Sequence, residues 1–201
     1  MTTSGENTEI QILVAAREVF IAKGYESARM QEIADRAGIN KALLHYYFRS
    51  KENLFDAVFS EVAAHLFPAV RQLLESDLAI KEKISFFVKI YLNALHENPY
   101  IPTFVINTLN SNPERFLKYI QKSGINPVTI QKQIDEEAAR GIIRPIKAEH
   151  LLVNTIAMFL FPFVARPIIQ NIFQMSDAEY QAYLELRQTE VIDFVHKSLA
   201  V

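Results

Sequence analysis

The sequence predicts an all-α fold of about nine helices. Three observations carry this. Only 5 of 201 residues are glycine. Apolar residues recur at spacings of three and four along most of the chain, and strand-like alternation is nearly absent. There is no internal repeat and no low-complexity segment.

Each element follows in order. Ile10 to Lys23 places Ile12, Leu13, Ala16, Val19 and Phe20 on one helical face, and Gly24 supplies a stop. A short helix over 28–36 puts Met30, Ile33, Ala34 and Ala37 on one side. Gly38 permits a sharp turn, and Asn40 caps a third helix from Lys41 to about Phe48. Ser50 caps a long fourth helix to about Glu75, with a kink expected near Pro68. Ile80 to Glu97 is a fifth, ended by Asn98-Pro99. Four prolines break 99–127 into short helices and loops. Val128 to Arg140 is helical, 148–172 is a very apolar helix disturbed at Pro162 and Pro167, and Asp177 begins a last long helix to Leu199. The stripe of that last helix is Tyr180, Tyr183, Leu184, Val191, Phe194, Val195 and Leu199.

Composition narrows the function. The chain has no cysteine, which excludes disulfides and thiolate zinc sites. His65, His96, His150 and His196 show no metal spacing, and nothing in the sequence calls for a cofactor. The opening MTTSGENTE lacks a basic and an apolar signal region, so a cytoplasmic protein is expected. The longest apolar run, Leu151 to Ala165, falls short of the ~18 residues of a membrane span and is interrupted by Asn154 and Pro162. Net charge is −2 overall. Residues 27–51 hold Arg29, Arg36, Lys41, Arg49 and Lys51 against Glu32 and Asp35, a net +3 that leaves −5 on the rest. That basic segment suits an anionic partner.

The segment AGINKALLHYYFRSKENL, residues 37–54, is the most informative stretch. On a helical wheel Leu44 and Phe48 share one face and point toward Leu13, Ala16, Phe20 and Ile33. Ala42 and Tyr46 then lie opposite, flanked by Leu43 and His45, with Lys41 and Tyr47 on the shoulders. Small Ala42 allows close approach to base edges, Leu43 and the tyrosine rings can meet thymine methyls, and His45 and the hydroxyls can bond phosphates or bases. Lys51 adds a cation beside the start of the fourth helix. Two short helices about a glycine turn match the helix-turn-helix plan. Spacing and charge alone leave a DNA reader and a purely structural turn equally open.

Residues 12–59 resemble the TetR/AcrR family of bacterial transcriptional regulators. The resemblance rests on Ile12, Leu13, Ala15, Ala16, Phe20 and Gly24, then Ile33, Ala34, Ala37 and Gly38, then Leu44, Phe48, Ser50, Lys51 and Leu54. It implies a three-helix DNA-binding domain over 8–54 and a helical effector-binding and dimerisation domain over 55–201. Carried onto matching positions, it implies DNA contacts from Arg29, Gln31, Lys41, Ala42, Leu43, His45, Tyr46, Tyr47 and Lys51. The family's hydroxyl-bearing opening of helix two is Ala28-Arg29 here, which moves the expected cap to Ser27. The Gly-Thr pair of helix three is Ala42-Leu43, and the tyrosine after Leu44 is His45.

The resemblance also implies a homodimer joined through the last two long helices and bound to a palindromic operator in double-stranded DNA. It implies a small-molecule effector lodged between helices four to eight. Phe86, Phe87, Tyr91, Phe104, Tyr119, Met158, Phe159 and Phe163 are the expected lining, with a gap at the Pro162 kink and an apolar or aromatic effector. A ligand-released repressor follows. Its alternatives are a dimeric helical binding protein that reads no DNA, and an all-α enzyme. The enzyme lacks support, since HExxH, GxSxG, P-loop and GxGxxG patterns are all missing.

Overall fold

In the computed structural model, which describes residues 4–111, 113–126 and 128–201, the chain is helical throughout and no strand occurs among the described residues. Eleven helices run in order: α1 (Ser4–Ser27), α2 (Met30–Arg36), α3 (Lys41–Tyr47), α4 (Lys51–Glu75), α5 (Ile80–Glu97), α6 (Ile101–Ser111), α7 (Pro113–Ser123), α8 (Thr129–Ala139), α9 (Ala148–Val164), α10 (Arg166–Ile172) and α11 (Asp177–Ser198).

The expected nine become eleven at two places. Residues 99–127 hold two short helices, α6 and α7, and 148–172 divides after Val164. The division falls at Pro167, which sits in the first turn of α10, where a proline's missing amide costs no helical bond. The axis bends by 75° between α9 and α10. No single described helix is long and apolar enough to cross a membrane, although this bent pair passes that test by length and composition when joined.

The start and stop signals act as their chemistry requires. Asn40 accepts the Leu43 amide at 2.8 Å and Ser50 the Asn53 amide at 3.1 Å. Gly24, at φ +73°, takes α1 out of helical geometry, and Gly38, at φ +67°, makes the turn between α2 and α3. Ser27 does not cap α2. The helix begins at Met30, its cap position falls on Arg29, and no side chain bonds there.

One core runs through the molecule, and α4 is its beam. Near its start Phe55 meets Phe20 of α1 at 5.0 Å, Tyr25 at 5.1 Å and Tyr100 at 5.6 Å between ring centres. Further on, Phe59, Ala63 and Phe67 face α5 and the helices beyond. α4 passes unbroken across position 54, so both halves of the chain share one rigid element.

Candidate nucleic-acid interface and effector cavity

α3 is seven residues long, too short to persist alone, and is held by its neighbours. Leu44 and Phe48 are buried and anchor it, each worth about 1.5–3 kcal/mol of apolar burial. The Phe48 amide closes the last turn on the Leu44 carbonyl at 2.8 Å. With that side fixed, Lys41, Ala42, Leu43, His45 and Tyr46 are left in solvent. Tyr46 is 79% exposed, and its ring stands at right angles to that of half-buried Tyr47, 5.5 Å away. The His45 Nδ1 lies 3.3 Å from the Arg49 carbonyl, which can accept only an Nδ1–H.

The charges around this face fall into two groups. Arg36 pairs with Glu18, and Lys23 with Glu32, whose carboxyl the lysine hydrogen bond holds below its usual range. Arg29, Lys41 and Arg49 are exposed and enter no ion pair among the described residues. Exposed Gln31 donates to Asp35 of its own helix at 2.7 Å.

Lys51, expected among the DNA contacts, is engaged within the chain. Its ammonium donates to the carbonyls of Tyr25, Glu26 and Ala28 at 2.9, 3.1 and 3.2 Å. It also lies 4.5 Å from the centre of the Tyr25 ring. All three ammonium protons are therefore spent inside the chain. Lys51 ties the α1–α2 connection to the start of α4. The partners are backbone atoms, which no sequence motif names.

A cavity of about 250 Å³ lies between α4, α5, α6, α7 and α9. Phe59, Leu66 and Phe67 of α4, Val105 of α6, Phe116 of α7 and Leu160 of α9 are among its walls. Tyr91 is the one polar side chain lining it among the described residues, and burial pushes its phenol up to about 12.

Of the eight residues expected to line a pocket, Tyr91 is the one that lines this cavity among the described residues. Phe87 and Phe159 are buried and fill the core beside it, with ring centres 4.9 and 5.2 Å from Tyr91. Phe86 faces solvent under Lys89. Tyr119 packs edge-on against Phe59 at 5.1 Å. Met158 and Phe163 are half-buried, and Phe163 stacks near His96. The side chain of Phe104 lies outside the described residues. Pro162 is buried, and carbonyls freed at the break have partners. The Pro162 carbonyl accepts the Tyr180 hydroxyl at 2.6 Å, and the Met158 carbonyl accepts Arg187 at 2.6 Å.

A family model described as bacterial regulatory proteins, tetR family, matches residues 12–58. Over these residues the chain matches the TetR family. The match covers α2, α3 and the turn between them, and most of α1. Among curated relatives, the HTH-type transcriptional activator FasR of Mycolicibacterium smegmatis is 36% identical over 88 residues, 44% of this chain and 40% of that protein. The HTH-type transcriptional regulator RutR of Escherichia coli is 28% identical over 149 residues, 70% of this chain and 66% of that protein. The chain thus spans less than two thirds of the length of either. The crystal structure of FadR from Bacillus subtilis in complex with stearoyl-CoA covers 94% of this chain and 98% of its own, with a TM-score of 0.63 at 17% identity. That likeness is one of fold.

Proposed function

We propose that this chain is a ligand-responsive transcriptional repressor of the TetR family that reads a palindromic operator in double-stranded DNA as a homodimer, and that it is not an enzyme. The observation that carries the reading is the outward face of α3. Lys41, Ala42, Leu43 and Tyr46 stand in solvent on a helix whose other side is fixed by Leu44 and Phe48. A surface helix that displays a tyrosine and a leucine beside unpaired cations is built to be covered.

The proposed base-reading set is Ala42, Leu43, His45, Tyr46 and Tyr47, and Arg29, Gln31 and Lys41 reach the phosphates. Lys51 contributes by holding the reading head to α4. The division of labour is residues 8–54 for DNA and 55–201 for effector and dimer, in a cytoplasmic protein. The dimer forms through α9 and α11, where Val153, Phe161, Leu186 and Phe194 are each more than 60% exposed. The cavity at Tyr91 takes the apolar effector. A ligand that moved the dimer from 99:1 to 1:99 between two spacings of its heads would need about 5.5 kcal/mol of preference for one state.

Gel retardation with DNA from the chain's own upstream region tests this. Sequence-selective retardation that fades steeply with salt is expected. A dimer that retards no duplex would instead be a helical ligand-binding protein.

A further inference from the structure

A second hollow, of about 440 Å³, opens on the outer side of the α4–α5 seam. Arg17, Glu61, His65, Asn93, Glu97 and Asn98 give it polar walls. It shares Val62, Leu66 and Ala94 with the apolar cavity at Tyr91. A single layer of three apolar side chains therefore separates a polar vestibule from an apolar chamber. All three are half-buried, and one is no larger than alanine.

We propose that the two hollows form one site for a lipophilic cation, with the apolar body in the chamber and the positive head in the vestibule. The proposal rests on the effector reading of the chamber and adds the head site and its charge. The vestibule holds two carboxylates, Glu61 and Glu97, against one guanidinium, Arg17. Arg17 already pairs with Glu61 at 2.8 Å. Glu97 is exposed and enters no ion pair among the described residues, so the hollow carries an uncompensated negative charge. His65 turns its Nδ1 to the Glu61 carbonyl at 2.8 Å, donating its proton there. The Asn98 side-chain oxygen is taken by the Tyr100 hydroxyl at 3.1 Å.

A cationic head entering here meets a free carboxylate, whereas an anionic head meets two like charges against one guanidinium that Glu61 already pairs through Nη2, with only its buried Nε left without a partner. Inside the chamber the Tyr91 ring adds an aromatic face, and its phenol stays neutral. The site also reaches the reading head. Glu61 belongs to α4 and its partner Arg17 to α1, so a head group that draws on Glu61 loosens the tie between α4 and α1.

Calorimetric titration of the full chain with decyltrimethylammonium, decanol and decanoate, each below its micelle concentration, tests the proposal. The cation is expected to bind about fivefold more tightly than decanol, the effect of one carboxylate at ~4 Å in water, and decanoate least tightly. Glu97→Gln should remove the cation's advantage and leave decanol unchanged. Ala94→Trp should weaken all three by filling the shared wall. Equal affinities, preference for decanoate, an unchanged profile in Glu97→Gln, or no binding of any probe would overturn it. DNA retention is read separately on the same preparation. Its absence beside an intact cation preference would remove the regulator reading and leave the site standing.

Discussion

The Lys51 ammonium sits 2.9 Å from the carbonyl of Tyr25 and 4.5 Å from the centre of that residue's ring. One side chain at the first position of α4 thereby closes off the end of α1 and fixes where α2 begins. Lys51→Met keeps the aliphatic stem and removes the charge. It should cost about 1–2 kcal/mol, read as a lower urea midpoint with an unchanged slope. Because the orientation of α2 and α3 depends on this tie, the variant should also bind DNA more weakly without any phosphate contact being removed. An unchanged midpoint would show that water replaces the ammonium at no cost.

Pro162 has no amide hydrogen, so the Met158 carbonyl four residues earlier has no helical donor. Arg187 of α11 fills the vacancy at 2.6 Å. Arg187→Met should destabilise the fold by about 1 kcal/mol. Pro162→Ala gives the carbonyl its own amide, so Arg187→Met should cost much less in that background. A double-mutant cycle by chemical denaturation measures the coupling, and additive effects would refute it.

Phe161 on α9 and Phe194 on α11 are each 63% exposed. If these faces meet their copies, Phe161→Glu with Phe194→Glu buries four carboxylates in the joined interface and should leave a helical monomer. Sedimentation reads the mass and circular dichroism the helicity. A dimer that survives both changes joins elsewhere.

How much of this was legible in the sequence depends on the range of the physics involved. Ser50 and Asn40 announce the helices they cap, and Asn98-Pro99 ends α5, because those bonds are made within three or four residues. The inward turn of Leu44 and Phe48 follows from helical period alone. The break between α9 and α10 was half visible, since two prolines in one apolar run do not say which one the helix tolerates. α9 carries Pro162 inside it because Arg187 and Tyr180, 25 and 18 residues further on, meet the freed groups. The cavity was not legible. Its walls are leucine, isoleucine, valine and phenylalanine, the same residues that fill a core. A hollow arises only from how closely α4, α6, α7 and α9 approach. The Arg17–Glu61 tie spans 44 residues and carries no motif.

Lys41 and Tyr46 should separate into two roles. Lys41→Ala removes a phosphate contact, so it should weaken binding to all duplexes alike and lower the salt slope by about one. Tyr46→Ala should spare non-specific binding and erase discrimination between operator and mutated operator, worth about 1–3 kcal/mol. Anisotropy titrations across a salt series distinguish the two outcomes.

The most direct measurement is retardation of the upstream operator by Tyr46→Ala and Leu43→Ala together, with helicity and dimer mass confirmed beforehand. Both side chains lie on the solvent side of α3, so the fold should persist while specific retention disappears. Operator affinity equal to that of the unsubstituted chain would mean that α3 does not lie in the groove.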